Sequence, residues 1–200
     1  MFNIGDYKLG KAYKPFIIAE LSANHNGSLA TAKQTILEAK RSGADAVKIQ
    51  SYTADTMTIE SSLPDFLIKE GPWSGNTLYE LYREASTPFN WHKALFDYAR
   101  EIDLIIFSSP FDETAVDLLR SLNTPAYKIA SFEIVDLPLI EYVAKVKKPM
   151  LISTGMASEQ EIGDALELAK KYGTGEVLLF HCISGYPVPI EQSNLANLNY

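Results

Sequence analysis

Two lysines lie inside apolar runs that are predicted to form buried strands. Lys48 sits in the run Ala-Val-Lys-Ile-Gln and Lys128 in Ala-Tyr-Lys-Ile-Ala-Ser. The two lysines therefore have nearly the same neighbours in the sequence. A buried ammonium without a partner is costly enough that it normally loses its proton. We therefore interpret the pair as two cations that hold one anion between them. The alternative is a pair of structural ion pairs, with Glu20 or Glu133 as the carboxylate.

The other apolar runs also end in polar side chains. The runs span residues 16–21, 46–52, 104–111, 126–131, 150–155 and 177–183. The polar groups near their ends are Glu20, Lys48, Gln50, Ser108, Ser109, Lys128, Ser131, Glu133, Ser153, Thr154, His181 and Ser184. In a parallel barrel the carboxyl ends of the strands meet at one mouth, where barrel enzymes carry out their chemistry. Cations with hydroxyls and carboxylates suit a small substrate that bears phosphate and carboxylate.

The same runs predict the fold. They are continuous rather than alternating, which is typical of strands covered on both faces of a parallel sheet. Helical patterns separate them, and Ser158 with Glu161 predicts a capping box at the start of one helix. This alternation predicts an α/β fold with right-handed crossovers. A TIM (β/α)8 barrel needs eight strands and about 250 residues, so we expect residues 1–200 to supply about six of eight βα units of a longer protein.

Two segments fall outside the repeating pattern. Residues 1–13 are predicted to form a small hairpin that caps the barrel floor, and residues 53–88 an insertion after the second strand. Loops at this position are frequent sites of substrate lids. The aromatic residues of the insertion are Phe66, Trp73, Tyr79 and Tyr82. They are predicted either to pack the lid or to form a platform for the face of a sugar.

The composition argues against several classes of partner. Lys and Arg total 18 against 25 Asp and Glu, a net charge of -7, and there is no basic run. Such a chain is poorly suited to nucleic acid or an anionic membrane. The single cysteine, Cys182, excludes a disulfide framework and fits a reducing compartment. With no long apolar stretch and no signal-peptide pattern, the sequence predicts a cytoplasmic protein.

The three histidines give weaker signals. His92 follows a tryptophan in a helical pattern and is predicted to be structural, whereas His25 lies on the first βα loop and is a candidate for the mouth. His181 is either a ligand or a buried, hydrogen-bonded side chain. Because no pair has metal-site spacing, we expect no metal site within these 200 residues.

These motifs, in this order and spacing, resemble the sialic acid synthase family over nearly all of the chain. The matching segments are residues 18–27, 43–50, 107–111, 125–133, 153–156 and 181–187. Four segments look most like the branch that makes pseudaminic acid, namely residues 21–25, 78–82, 87–92 and 130–133. The resemblance implies condensation of phosphoenolpyruvate with an amino sugar, for this branch a 2,4-diacetamido-2,4,6-trideoxy hexose.

The resemblance also implies roles for individual positions. The side chains that hold the phosphate and carboxylate of phosphoenolpyruvate would be Lys48, Ser109, Lys128, Ser131 and Ser153. Glu20 matches the general acid or base, and the positions near the sugar are Gln50, Glu133, Ser184 and Tyr186. N-acetylneuraminate synthases carry asparagine where this chain has Ser184, and often threonine where it has Ser109.

Further parts of the family pattern would lie beyond residue 200. The resemblance implies a divalent metal, Mn or Mg, held by histidines of the seventh and eighth strands, and a C-terminal antifreeze-like domain that reaches across a homodimer. We therefore expect the chain alone to lack the metal site and to be inactive.

Other functions stay open at this point. The enzyme could be an N-acetylneuraminate or legionaminate synthase, or a Schiff-base aldolase, since a strand lysine also suits carbonyl chemistry. From a different class, the chain could be a non-catalytic fragment or binding module whose exposed sheet edges recruit a partner.

Overall fold

The structure is a computed structural model that describes residues 2–71, 73–185 and 188–199. The strands are β1 (Phe2–Ile4), β2 (Tyr7–Leu9), β3 (Ile18–Glu20), β4 (Ala46–Ser51), β5 (Ile105–Pro110), β6 (Tyr127–Ile129), β7 (Met150–Ser153) and β8 (Val177–Phe180). The helices are α1 (Leu29–Arg41), α2 (Ala54–Met57), α3 (Leu78–Ala85), α4 (Phe89–Glu101), α5 (Glu113–Ser121), α6 (Leu137–Lys145) and α7 (Glu159–Tyr172). Short 3-10 turns span Pro64–Phe66, Phe132–Val135, Ile190–Gln192 and Leu195–Asn199. From β3 onward, strands therefore alternate with helices, as predicted.

The chain forms two compact units. The first unit is Pro15–Thr124, and the second combines Met1–Lys14 with Pro125–Tyr200. In the first unit β3, β4 and β5 lie side by side in chain order as parallel strands. In the second unit β6, β7 and β8 do the same, while β1 and β2 form an antiparallel hairpin. Parallel neighbours in chain order, each joined by a helix, are the βα units of the predicted α/β fold.

The core of the first unit lies on both faces of its strands. Val47 and Ile49 of β4 point to the face of the sheet opposite Lys48 and are at most 1% exposed. Phe107 of β5 pairs with Lys48 and shares its face, and it has no exposure. Helices α1 and α4 cover the sheet with Ile36 and Phe96, which are equally buried. This two-sided cover explains why the strand sequence is continuously apolar rather than alternating.

The second unit is built in the same way. Strands β6 and β7 are buried along their whole length. Helix α7 begins with the predicted capping box, in which the Ser158 hydroxyl accepts from Glu161 N–H and the Glu161 carboxylate accepts from Ser158 N–H. Helix α6 is capped by Asp136, whose carboxylate accepts from Leu139 N–H at 3.1 Å. Both helices thus begin where their cap residues predict.

The inserted segment after β4 carries secondary structure of its own. Helix α2, the turn Pro64–Phe66 and helix α3 lie between β4 and α4. Thr77 caps α3 through a capping box with Glu80. The inserted segment therefore has helices of its own and is not a plain loop.

Candidate active site

An ion pair lies at the carboxyl ends of β3 and β4 in the first unit. Lys48 Nζ is 2.6 Å from Glu20 Oε2 and donates to Ser109 Oγ at 3.3 Å. The other carboxylate oxygen of Glu20 accepts from Ser22 N–H at 3.1 Å. The Lys48 side chain is 14% exposed and that of Glu20 is 41% exposed. The ion-pair interpretation of the sequence named Glu20 as a partner of Lys48, and this contact is present. The hydroxyl of Ser109 is a second partner.

Strand register explains why these side chains meet. Glu20 pairs with Lys48 across β3 and β4, and Gln50 pairs with Ser109 across β4 and β5. Directly paired residues of parallel strands point to the same face, and residues two apart on one strand also share a face. Four predicted site residues of the first unit therefore lie on one face, Glu20, Lys48, Gln50 and Ser109.

The opposite face of β4 and β5 carries a buried hydrogen-bonded group. Ser51 Oγ lies 2.7 Å from His92 Nε2 and 2.6 Å from Ser108 Oγ, and none of the three residues has measurable exposure. His92 Nδ1 faces the Pro88 carbonyl oxygen at 3.1 Å. Because a carbonyl can only accept, Nδ1 carries the hydrogen and Nε2 accepts from Ser51. Burial lowers the pKa of His92, so the ring is a neutral structural group.

An aromatic cluster fixes the inserted segment to the end of β4. The ring of Tyr52 makes edge contacts with Tyr82 of α3 and with Phe111, at centroid distances of 5.9 and 5.3 Å. Burial, and then the neighbouring Tyr82, raise the pKa of Tyr52 to about 12, so its phenol stays neutral. Tyr79 donates to Asp55 instead, at 2.9 Å. Whether these rings also contact a sugar stays a prediction.

The second buried lysine lies in the second unit. Lys128 is 8% exposed, and its ammonium donates to the Ile129 carbonyl at 2.6 Å and to Ser153 Oγ of β7. The ring of Phe180, on β8, has its centroid 5.4 Å from Lys128 Nζ. Carbonyl, hydroxyl and aromatic face are all groups that stabilise a cation away from water.

Two serine hydroxyls and one backbone carbonyl oxygen meet at Gly155. A Cβ atom placed on Gly155 would lie 2.6 Å from Ser184 Oγ, 2.8 Å from Ser131 Oγ and 3.3 Å from the Cys182 carbonyl oxygen. Any side chain at this position would therefore displace two hydroxyls. Cys182 Sγ in turn contacts Ser153 Oγ at 3.3 Å. We name this continuous group the Lys128 cluster, comprising Lys128, Ser131, Ser153, Gly155, Cys182 and Ser184.

Glu133 lies in the 3-10 turn that follows β6. Its Oε2 atom is buried and has no hydrogen-bond partner among the described residues. Burial raises the pKa of Glu133, while the charge of Lys128 lowers it. This carboxyl is therefore more easily protonated than an exposed one.

Some sequence predictions fall elsewhere. His25 is 1% exposed, packs edge-on against Trp91 at 5.6 Å and accepts from Gly27 N–H through Nδ1; that it contributes to the mouth stays a prediction. His181 Nε2 lies 2.8 Å from the Ser193 carbonyl oxygen. Tyr186 lies outside the described residues. Cys182 and Gly155 were missed as site residues, although both lie within the motifs singled out from the sequence.

A cavity of about 1150 Å³ adjoins the Lys128 cluster beside β8. It reaches the cluster through Cys182 and Ser184, and its wall includes Thr154, Leu179 and His181. Within residues 2–71, 73–185 and 188–199, no group of three or more His, Cys, Asp or Glu is arranged to hold a metal ion. The helices of the same residues are all too short or too polar to cross a membrane.

Comparison with known proteins gives one consistent result. The profile of the NeuB family matches residues 35–200. The chain is 50% identical over 184 residues to the pseudaminic acid synthase of Helicobacter pylori, covering 92% of this chain and 54% of that protein. It is 45% identical over 196 residues to the pseudaminic acid synthase of Campylobacter jejuni, covering 98% and 57%. The N,N'-diacetyllegionaminic acid synthase of Legionella pneumophila is 36% identical over 190 residues, covering 93% and 53%.

Solved structures agree with the sequence relatives. The N-acetylneuraminic acid synthetase of Leptospira borgpetersenii, solved with citrate, superposes with a TM-score of 0.86 and 28% identity, covering 98% of this chain and 64% of that one. The predicted fold, a TIM barrel represented by about six of its eight βα units, is thereby confirmed. The chain spans about half the length of the curated relatives it matches.

The buried serine of the first unit should contribute to stability. Replacing Ser51 with alanine removes the hydroxyl that His92 Nε2 accepts from and leaves a buried nitrogen without a partner. We expect the free energy of unfolding in urea to fall by about 1–3 kcal/mol. The exposed Ser62→Ala variant is the control and should change it by less than about 0.5 kcal/mol. Equal unfolding midpoints for the two variants would contradict the assignment.

The glycine of the Lys128 cluster should tolerate no side chain. In Gly155→Ala the new methyl would force two serine hydroxyls to rotate, since all three nearest atoms lie within 3.3 Å. We expect the free energy of unfolding to fall by about 1–3 kcal/mol. The matched control is Gly163→Ala in α7, where a Cβ meets nothing within 4 Å and should stabilise the helix by about 0.5–1 kcal/mol. A Gly155→Ala variant that is as stable as the unaltered protein, or more stable, would show that Gly155 is not crowded.

Proposed function

The chain belongs to the NeuB family, and on that premise we propose that it forms the phosphoenolpyruvate-binding part of a pseudaminic acid synthase. The reaction joins phosphoenolpyruvate to a 2,4-diacetamido-2,4,6-trideoxy hexose and releases phosphate. Identities of 50% and 45% to two pseudaminic acid synthases, against 36% to a legionaminic acid synthase, support this choice of sugar. An N-acetylneuraminate or legionaminate synthase is the alternative within the family.

The observation that carries the proposal is the Lys128 cluster. A phosphate or carboxylate leaving water must regain its lost hydrogen bonds, which requires donors and positive charge in a site with little water. Lys128 brings an ammonium that is 8% exposed, and Ser153 touches it directly. Ser131 and Ser184 add two hydroxyls that meet at a position without a side chain. Such a concave group of donors suits a small anion better than any larger ligand.

The ion pair of the first unit suits a different task. In the proposed reaction, carbon 3 of phosphoenolpyruvate forms a bond to the aldehyde carbon of the open-chain sugar, whose oxygen takes up a proton. Water then adds to carbon 2 and loses one proton. The hydroxyl so formed becomes the carbonyl of the product as the bond from carbon 2 to the phosphate oxygen breaks, and phosphate departs with the hydroxyl proton. Glu20 is proposed to accept the proton of that water, while Lys48 and Ser109 orient the carboxylate and contribute donors for the anion.

The remaining predicted residues are proposed to recognise the sugar. Glu133 offers a buried carboxyl oxygen without a partner among the described residues, which suits an amide N–H or hydroxyl of an acetamido sugar. Gln50 lies on the same face as the ion pair, and Ser184 borders the Lys128 cluster. Tyr186 is assigned to the sugar by resemblance alone.

The divalent metal implied by the family resemblance finds no matching group here. The described residues offer no set of three metal-ligating side chains, so no step of the reaction is assigned to a metal. The acidic composition supports an enzyme that binds neither nucleic acid nor an anionic membrane, and its single cysteine fits the reducing cytoplasm. The homodimer stays a proposal based on resemblance.

The identity of the sugar is tested by turnover. The whole protein is expected to release phosphate from phosphoenolpyruvate fastest with the 2,4-diacetamido-2,4,6-trideoxy hexose that leads to pseudaminic acid, because the chain is 50% and 45% identical to two synthases of that acid. Phosphate release is compared with the legionaminic acid precursor and with N-acetylmannosamine at equal concentration. A higher kcat/KM for either of these sugars would reject pseudaminic acid as the product.

The anion site is tested by removing its charge. In Lys128→Met of the whole protein, the loss of a buried charged donor should lower kcat/KM for phosphoenolpyruvate about 100-fold or more, since each 1.4 kcal/mol changes the rate tenfold. The exposed Lys170→Met variant of α7 is the control and should match the unaltered protein. Trapping with borohydride and pyruvate should label neither protein. Unchanged kinetics in Lys128→Met, or a trapped adduct on Lys128, would overturn the proposal.

A further inference from the structure

Cys182 lies against the hydroxyl that receives the Lys128 ammonium. Its Sγ contacts Ser153 Oγ at 3.3 Å, and the same oxygen accepts from Lys128 Nζ. The thiol is free and half-buried. The motif around Cys182 predicted no role for this residue, yet its thiol is one hydrogen bond away from Lys128's partner Ser153 in the proposed anion site.

We propose that Cys182 is a positioning residue, which orients the Ser153 hydroxyl so that its proton points at the anion of phosphoenolpyruvate. The inference rests on the proposed function, because it deepens the role of Ser153 in that site. Cys182 itself touches no reacting atom in this scheme. It acts through the serine.

The hydrogen-bonding capacity of serine carries the argument. A hydroxyl has one hydrogen to donate and two lone pairs that accept. An ammonium can only donate, so Lys128 occupies one lone pair of Ser153 Oγ. The thiol hydrogen of Cys182 occupies the second. The hydroxyl hydrogen then has to point away from both neighbours, towards an incoming phosphate or carboxylate oxygen.

Without the thiol the serine would be less constrained. With one lone pair empty, the hydroxyl can rotate among several orientations, and only some of them present the hydrogen to the substrate. An orienting donor therefore lowers the entropy lost when the anion binds. Because the S–H group is a weak donor, the expected effect is moderate and concerns binding rather than the chemical step.

The backbone around Cys182 supports this geometry. Phe180 and Cys182 are two residues apart at the end of β8, and the Phe180 ring faces Lys128 Nζ. Residues at this spacing in an extended chain point to the same side, which explains why the thiol also faces the cluster. The Cys182 carbonyl lies against Gly155, so the glycine sets where the main chain passes and leaves the side chain to contact Ser153.

The test is a double-mutant cycle on the whole protein. Cys182→Ala should raise the KM for phosphoenolpyruvate about 3–10-fold, the equivalent of one weak hydrogen bond, with kcat and the KM for the sugar unchanged. Cys182→Ser keeps a donor, although its shorter side chain places that donor slightly further from Ser153 Oγ, and it should restore at least part of the loss. In a Ser153→Ala background, Cys182→Ala should have no further effect, since the hydroxyl that it orients is gone.

The outcomes separate this inference from the proposed function. If Lys128→Met and Ser153→Ala weaken phosphoenolpyruvate binding but Cys182→Ala does not, or if its effect is as large without Ser153, the positioning role is rejected and the anion site stands. If none of the variants alters binding of phosphoenolpyruvate, the proposed function falls. Circular dichroism melting of Cys182→Ala and Cys182→Ser, each compared with the unaltered protein, checks that the kinetic changes do not arise from misfolding.

Discussion

Placing a lysine ammonium inside a parallel strand is the constraint around which the second unit is organised. Lys128 is almost fully buried in β6, where water cannot solvate its charge. The neighbouring elements therefore have to supply acceptors, and they do so from three directions: the Ile129 carbonyl, the Ser153 hydroxyl and the face of Phe180. An apolar residue at position 128 would remove the need for these acceptors. That a lysine stands at position 128, although burying its charge is costly, is the strongest structural sign of an anion site.

The first unit meets the same constraint differently. Lys48 is only partly buried and lies against a carboxylate, that of Glu20, with a serine on its other side. A carboxylate partner favours the charged state of an amine, whereas hydroxyl and carbonyl groups solvate it without cancelling its charge. The environments therefore differ in chemistry although the sequence around the two lysines is nearly the same. This difference is the basis for proposing proton transfer at Glu20 and anion binding at Lys128.

The sequence predicted the features that depend on local pattern. Continuous apolar runs located the strands, Ser158 with Glu161 located a helix start, and the strand lysines located the polar groups. Contacts between distant segments could not be read in this way. Ser51 and His92 are 41 positions apart, and their hydrogen bond depends on how α4 packs on β4. Likewise, the inward turn of the first βα loop, not its composition, decides that His25 is buried against Trp91.

Strand alternation also explains how one short segment serves both chemistry and stability. Ser108 and Ser109 are adjacent in β5, so their side chains point to opposite faces of the sheet. Ser108 joins Ser51 and His92 in a group with no exposure, while Ser109 accepts from Lys48 at the partly open face. The first serine completes hydrogen bonds that would otherwise be lost on folding, and the second lies beside the ion pair of Lys48 and Glu20. Because the register of β4 and β5 fixes both contacts at once, the buried group holds the ends of these two strands in the alignment that the hydrogen bond from Lys48 to Ser109 requires.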